Sequence, residues 1–401
     1  MEPYPEIIRL SATPFEEGGN RMIALSAADG LDDRGVAVSL PTFFLISLMD
    51  GAHSLEQIRD EFQSQFGHKL AMEDLSGLVA QLDQAYFLDN PRYRHAVEES
   101  AREFLCAPVR PAAHAGKSYP AEPEELAALI QGQLSARPRA DGAWAEAVIV
   151  PHIDFRVGAA MMADGWRELP MNPDELIVIL GTGHYLANDF FACIDKDFAT
   201  PLGVVKVDRE FLASLRENFG EDIYKNSMSH KTEHSVEFAT LFMAARAKNG
   251  ASQMAVPILL SFPENVWEMD DPVFNGARVD RFIQALGKTA AGCGRKVRYV
   301  ASVDLAHVGA RFGDIDPLSH LKLGMVEKND RELIATLERI DADDFRIKIT
   351  QINQENRVCG YPPLHALLKL TAAKRGVMLG YKQNLEGEME NMVSFTTVAL
   401  Y

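Results

Sequence analysis

The chain has 401 residues, of which 47% are hydrophobic and 8% aromatic, enough to fill the cores of two or three domains. A formal net charge of -17 without clustered Lys and Arg argues against nucleic acid as a partner. No apolar run approaches the ~20 residues of a membrane span, and the beginning of the chain lacks a basic segment followed by an apolar one. We therefore expect a globular cytoplasmic protein without a membrane partner.

Three short helices are predicted in the first hundred residues. The first covers the apolar run at 40–49, which stops at an Asp-Gly pair. The second begins at Ser54, where Gln57 three residues later forms a capping-box pattern, and it ends at Gly67. The third spans 73–84, where apolar residues recur at helical spacing.

A short strand or wing is predicted at 85–88, directly after these helices. Three helices and a wing resemble a winged helix, and more narrowly the PqqD-like peptide-recognition domain of peptide-maturation systems. We assign residues 1–100 to this domain and the Pro-rich 101–112 to a linker. The resemblance implies a peptide ligand, and the alternative is a docking module that binds no peptide. Glu73 and Asp74 on the third helix argue against DNA binding.

Residues 113–401 are expected to form an α/β domain. Apolar runs at 147–150, 176–180, 254–260 and 297–302 are separated by helical stretches. Such alternation is typical of a parallel sheet with crossover helices. Ligands of such sheets bind beyond the carboxyl ends of the strands.

Polar residues follow three of these strands at the expected binding edge. His152 follows the first strand, His184 the second, and Asp304 and His307 the fourth. A single histidine in an apolar setting is more often a hydrogen-bonded core residue than a ligand, but three at one edge favour a metal or proton-transfer site. Cys359 lies in a Gly- and Pro-rich turn that either presents a thiolate or buries an ordinary thiol.

The four cysteines are scattered without a CxxC pair, which argues against a disulfide framework and a zinc knuckle. A further group contains His230 and His234, whose i, i+4 spacing would place them on one helix face. The HExxH order is absent, and a solvent-facing helix start is the alternative. We expect His234 and Glu237 at the pocket edge, where they either orient the ligands of the site or transfer protons.

Residues 114–401 resemble the Memo family, whose fold is similar to that of class III extradiol dioxygenases. With its PqqD-like front, the whole chain resembles protein B of the AmmeMemoRadiSam system, which implies a radical-SAM enzyme and an AMMECR1-type protein as partners. The resemblance runs through His114-Ala115-Gly116-Lys117-Ser118-Tyr119, Pro151-His152, Gly181-Thr182-Gly183-His184, Thr200-Pro201-Leu202-Gly203, Glu233-His234-Ser235-Val236-Glu237, Ser302-Val303-Asp304-Leu305-Ala306-His307 and Val358-Cys359-Gly360-Tyr361-Pro362-Pro363.

This resemblance implies that His152, His184 and Cys359 are metal ligands. It places Asp304 and His307 beside them and His234 near the pocket. Related dioxygenases use two histidines and a carboxylate. A thiolate in the third place favours copper or zinc and still permits iron, so the expected cofactor is iron or copper, with zinc as the alternative.

The expected activity is that of a non-haem metal-dependent oxidoreductase. In it His307 and His234 would act as general acid or base and Asp304 would orient His307 or bind a ligand. The alternative is a non-catalytic adaptor that presents a peptide or protein to the radical-SAM enzyme. The chain departs from the family at Asp154, where Memo proteins have glycine. This residue either adds a carboxylate near His152 or caps the next helix.

Overall fold

The computed structural model describes residues 4–27, 31, 35–139, 142–186, 188–247, 253–387 and 389–401. The chain divides into two compact units, Met1–Cys106 and Ala107–Tyr401. This division falls inside the segment 101–112 that was expected as a linker, and a helix that begins at Pro91 continues to Cys106. The expectation that the chain does not start with a leader concerns its first residues, and residues 1–3 lie outside the described residues.

The first unit starts with a three-stranded antiparallel sheet in the order β1-β2-β3 and continues with four helices. Its core includes Met49, Ile58 and Leu75, none of which is exposed. The predicted capping box is present, since the Ser54 backbone N–H donates to Gln57 at 2.7 Å. The elements are β1 (Leu10–Glu17), β2 (Asn20–Ala27), β3 (Gly35–Ser39), α1 (Leu40–Ser47), α2 (Leu55–Phe66), α3 (Met72–Gln84) and α4 (Pro91–Cys106).

The strands of the first unit do not lie where the sequence predicted a wing. The described part of the segment 85–88 forms one isolated bridge, between Leu88 and Ile7, whereas the sheet precedes the helices. The apolar signal of this sheet is weak, because in β2 only Ile23 and Leu25 are buried. Pro14 in β1 weakens the strand pattern further.

The second unit is a mixed α/β domain, and its elements follow in chain order. They are β4 (Val109–Arg110), α5 (Pro123–Ser135), β5 (Ala147–Val150), α6 (Phe155–Arg167), β6 (Leu176–Thr182), β7 (Phe191–Cys193), β8 (Asp197–Thr200), β9 (Gly203–Val205), α7 (Arg209–Phe219), α8 (His234–Ala245), β10 (Met254–Leu260), α9 (Gly276–Gly292), β11 (Val297–Ser302), β12 (His307–Gly309), α10 (His320–Arg339), α11 (Ala342–Asn356), α12 (Tyr361–Leu370), β13 (Gly376–Glu386) and β14 (Asn391–Leu400). Within the described ranges, none of the helices is both long and apolar enough to span a membrane.

The main sheet of this unit has eight strands. Along it the order is β12-β14-β5-β11-β6-β10-β7, and β13 pairs with β14. The four predicted strands are the parallel centre, β5-β11-β6-β10. All residues of β5 and β6 are buried. Central strands covered on both faces have continuous apolar sequences, which is why these four were predictable. A smaller sheet has the order β4-β8-β9.

The register of the central strands places their carboxyl ends level with one another. Ser302 at the end of β11 pairs with Val150 of β5 and with Gly181 of β6. The residues that follow these three strands therefore emerge at one edge of the sheet. A Cβ at Gly181 would lie 2.6 Å from Ser235 Oγ, so this glycine lets the start of α8 approach β6.

Candidate metal centre

Three imidazoles meet at this edge of the sheet. The side chains of His152, His184 and His234 each offer a nitrogen, and these atoms lie within 4.8 Å of one another. Their ring centroids are 4.8 to 5.0 Å apart. The structure therefore unites the two strand-end histidines and adds to them a residue that was expected at the pocket edge.

His152 is the most deeply buried of the three, with 2% of its surface exposed. Its Nδ1 donates to the carbonyl of Ser302 at 2.9 Å, so Nε2 carries the free electron pair. Burial lowers the pKa of His152 to about 3, which keeps the ring neutral at physiological pH. A neutral imidazole with Nε2 toward the pocket is suited to bind a metal ion.

His184 follows β6 after the single residue Gly183, and Glu233 forms two hydrogen bonds with it. Its backbone N–H donates to Glu233 Oε2 at 3.0 Å, and its Nδ1 lies 3.0 Å from Oε1. Burial opposes the charged form of His184, but the carboxylate of Glu233 raises the pKa of the ring well above its ordinary value. The same ion pair outweighs burial at Glu233 and lowers its pKa well below the usual range.

His234 is the first residue of α8, and its Nδ1 lies 3.4 Å from Glu233 Oε1. Burial lowers the pKa of this ring well below its ordinary value. The expectation that His230 shares its helix face is wrong. His230 ends a separate 3-10 helix, Ser227–His230, and its Nε2 donates to the carbonyl of Ala192 at 3.0 Å. The reason is that Glu233 caps α8, so the helix begins only after it.

Cys359 precedes α12 and is also close to the imidazoles. Its Sγ lies 3.5 Å from His152 Nε2 and 3.6 Å from the carbonyl oxygen of Asp304. Burial raises the pKa of the thiol above its ordinary value. The next residue must be glycine, because a Cβ at Gly360 would lie 2.6 Å from the carbonyl oxygen of Asp304. Cys359 therefore contacts His152, but its Sγ is not among the donor atoms that lie within 4.8 Å of one another.

Asp304 and His307 follow β11 at the same edge. The Oδ1 of Asp304 accepts from the backbone N–H groups of His152 at 3.1 Å and Ile153 at 3.2 Å. Burial raises the pKa of Asp304 to about 6. His307 Nδ1 donates to the carbonyl of Leu305 at 3.0 Å, and burial lowers the pKa of this ring. These hydrogen bonds of Asp304 hold the His152 backbone and not the His307 ring.

Two further carboxylates, those of Asp154 and Glu237, form their hydrogen bonds with residues other than the three histidines. Asp154 caps α6, where its Oδ1 accepts from the Arg156 backbone N–H at 2.9 Å, so the capping alternative describes its place. Glu237 is fully buried in an ion pair with Arg110, so its expected place at the pocket edge is wrong. The cause is Arg110, which lies 127 residues away from Glu237 in the sequence and binds its carboxylate.

Glu233 is the site residue that the sequence reasoning missed as a functional side chain. It is 1% exposed and contacts both His184 and His234. Metal-binding histidines commonly donate their second ring nitrogen to a carboxylate, which fixes the ring and its tautomer. The sequence pattern that could have indicated this role is a glutamate directly before a histidine at a helix start.

Comparison with known proteins covers most of the chain. The family model described as "Memo-like protein" matches residues 110–399. A MEMO1 family protein of Aquifex aeolicus is 26% identical over 364 residues, covering 89% of this chain and 90% of the relative. Another MEMO1 family protein, from Thermus thermophilus, is 25% identical over 88% of this chain and 100% of its own length. Protein MEMO1 of Danio rerio is 24% identical over 68% of this chain and 88% of the relative. The chain belongs to the Memo-like family.

Proposed function

We propose that the chain binds a redox-active metal ion, iron or copper, at His152, His184 and Cys359 with His234 as a further donor. The observation that carries this proposal is the meeting of three imidazoles within 4.8 Å, with the Cys359 thiol 3.5 Å from one of them. Imidazole suits copper, iron and zinc, and a thiolate adds preference for soft ions. The donor set fits the cofactor expected from the sequence.

The surroundings of the donors favour a metal ion as well. The Ser302 carbonyl and the Glu233 carboxylate take up the Nδ1 positions of His152 and His184, so a metal ion would bind Nε2 of each ring, and the His184 ring would release its Nε2 proton. A bound iron or copper ion would supply electron transfer and Lewis acidity. His307 holds its Nδ1 proton against a backbone carbonyl, so its other ring nitrogen would exchange protons with a substrate.

We place this activity in the AmmeMemoRadiSam system, as a non-haem oxidoreductase of dioxygenase-like fold that works with a radical-SAM enzyme and an AMMECR1-type protein. The support is the sequence resemblance of both parts of the chain, together with the Memo-like match over residues 110–399. Asp304 would keep His152 in place, since it accepts two backbone hydrogen bonds at that turn.

Metal analysis of anaerobically purified protein tests this function. We expect the wild type to hold iron or copper in stoichiometric amount, and His152→Ala and His184→Ala to lose most of it, because each substitution removes one donor. Cys359→Ala and His234→Ala show which of the two completes the centre. His320→Ala removes an exposed histidine from the start of α10 and should keep the metal. Wild type without iron, copper or zinc, or donor variants as metal-rich as His320→Ala, would contradict the proposal.

A second candidate function, the adaptor, is favoured by a groove in the first unit. The groove has a volume of about 780 Å³ and lies between β3 and α3, where Val36, Leu78 and Tyr86 line it. Because β3 is an edge strand, an extended peptide could pair with it. A PqqD-like unit that presents a peptide to the radical-SAM enzyme would use such a surface.

Co-purification of the full chain with the radical-SAM partner separates the two functions. If the first unit recruits the partner, Leu78→Glu should abolish co-purification and leave the metal content unchanged, because a charge would enter an apolar groove. His152→Ala should give the reverse result. Retention of the partner by Leu78→Glu would count against the adaptor function.

A further inference from the structure

The short turn that carries Glu233 and His234 is held by one distant segment of the chain. We propose that residues 110–119, here called the clamp segment, position the metal centre by fixing this turn, and that Arg110 and His114 are its positioning residues. The inference rests on the proposed metal-binding function and names residues that control the geometry of that site. Three backbone carbonyls of the turn, those of His230, Thr232 and Glu233, are its points of attachment.

Arg110 makes two of these attachments. Its Nε donates to the carbonyl of His230 at 2.8 Å, and its Nη2 donates to the carbonyl of Glu233 at 3.0 Å. The guanidinium is fully buried, and Nη1 pairs with the carboxylate of Glu237. One rigid, planar group therefore sets the distance between the two ends of the turn, which a single ammonium cannot do.

His114 makes the third attachment. Its Nε2 donates to the carbonyl of Thr232 at 2.8 Å. Its ring also meets that of His234 edge to face, with centroids 5.8 Å apart. His114 thus touches both the backbone of the turn and the ring that the turn delivers.

The carboxylate of Glu237 in α8 accepts hydrogen bonds from several residues of the clamp segment. Its Oε1 accepts from the His114 backbone N–H at 2.9 Å and from the Tyr119 hydroxyl, and its Oε2 accepts from the Ala113 N–H at 3.1 Å and from Arg110. Burial raises the pKa of Glu237, but the neighbouring Arg110 and these donors lower it by a larger amount. The net pKa of Glu237 therefore lies below the ordinary value. A buried carboxylate with four donors has no freedom to follow a displaced turn.

The position of the turn decides the position of Glu233. This carboxylate must reach the backbone N–H and Nδ1 of His184, both at 3.0 Å, and the N–H of Ser235 at 3.0 Å. Carboxylates that orient metal-binding histidines affect metal affinity by about 10- to 100-fold. Loosening the clamp segment should therefore weaken the centre without removing any donor.

The test combines hydrogen exchange of the metal-free full chain with a Co²⁺ titration. In Arg110→Lys and His114→Ala we expect the amides of His184 and Ser235 to exchange at least about tenfold faster, while those of β5 and β10 keep their rates. We expect Co²⁺ affinity to fall about tenfold and the visible absorption bands of the Co²⁺ form to change, because the donors move. His114 is only partly buried, so its variant should remain folded if Arg110→Lys does not.

Arg298→Lys is the matched control. Arg298 lies on β11, is buried and pairs with Glu175. Among the described residues it forms no hydrogen bond with the turn 230–234. Its variant should lose stability while Co²⁺ affinity and the exchange of His184 and Ser235 stay as in the wild type. Unchanged exchange in both clamp variants, or an equal effect of Arg298→Lys, would overturn the proposal. If the wild type binds no metal but the exchange rates change as expected, the metal function fails and the clamp stands.

Discussion

Two buried aspartates of the second unit illustrate how strongly local contacts decide the state of a residue. Asp304 accepts two backbone hydrogen bonds at the proposed metal centre, and burial raises its pKa to about 6. Asp330 in α10 is fully buried and accepts a hydrogen bond from the Tyr381 hydroxyl at 2.8 Å. Burial raises the pKa of Asp330 to about 7. Asp330 is therefore about half protonated at neutral pH, whereas Asp304 is mostly ionised there.

The raised pKa of Asp330 predicts that the free energy of unfolding falls as the pH rises. Unfolded Asp has a pKa of about 3.9, so between about pH 4 and pH 7 the unfolded chain has lost a proton that folded Asp330 keeps. Its contribution is full below pH 4 and is lost as the pH rises through 7. Asp330→Asn, an amide at every pH, should gain about 2–3 kcal/mol relative to wild type between pH 5 and pH 8. Denaturant unfolding at both pH values measures the difference.

The matched variant is Asp316→Asn, which changes an exposed aspartate. Its free energy of unfolding should follow that of wild type over the same pH range. Asp330→Asn with the wild-type pH slope would show that the buried carboxyl group is not the source.

At the scale of elements, the centre depends on how closely α8 approaches β6. The strand ends in Gly181-Thr182 and Gly183 follows it, and both glycines lie against neighbouring side chains. A Cβ at Gly181 would lie 2.6 Å from Ser235 Oγ and 2.8 Å from Val236 Cγ2. The helix start carries His234, so any displacement of α8 moves a proposed donor.

We therefore expect Gly181→Ala to destabilise the protein by about 1–3 kcal/mol, the usual range for overpacking, and to weaken metal binding. Gly132→Ala in α5 is the control, since a Cβ there meets nothing within 4 Å. That variant should be neutral or up to about 1 kcal/mol more stable, because alanine favours the helix. Thermal unfolding and metal content check both variants. An equally stable Gly181→Ala would show that α8 can retreat without cost.

For the whole molecule, the sequence predicted the parts that depend on local pattern. His152 and His184 were found because each follows an apolar run in a strand that is buried along its full length. The first sheet escaped prediction, because β2 buries few of its residues. The place of His234 depends on Glu233 and on Arg110, which is 123 residues away from Glu233, and no local pattern contains that contact. The turn at Cys359 stood out in the sequence, but the prediction that Cys359 is a metal ligand came from the family resemblance.

The centre is also assembled from parts far apart along the chain. His152 meets the Ser302 carbonyl across 150 residues and Cys359 across 207 residues. Contacts of such separation close long loops, so their formation is slow and requires a large part of the chain to come together. An incomplete or misfolded chain therefore lacks the donor set, and a bound ion would stabilise only the finished fold. The metal content of a preparation would therefore report the fraction of chains in which the central sheet has formed.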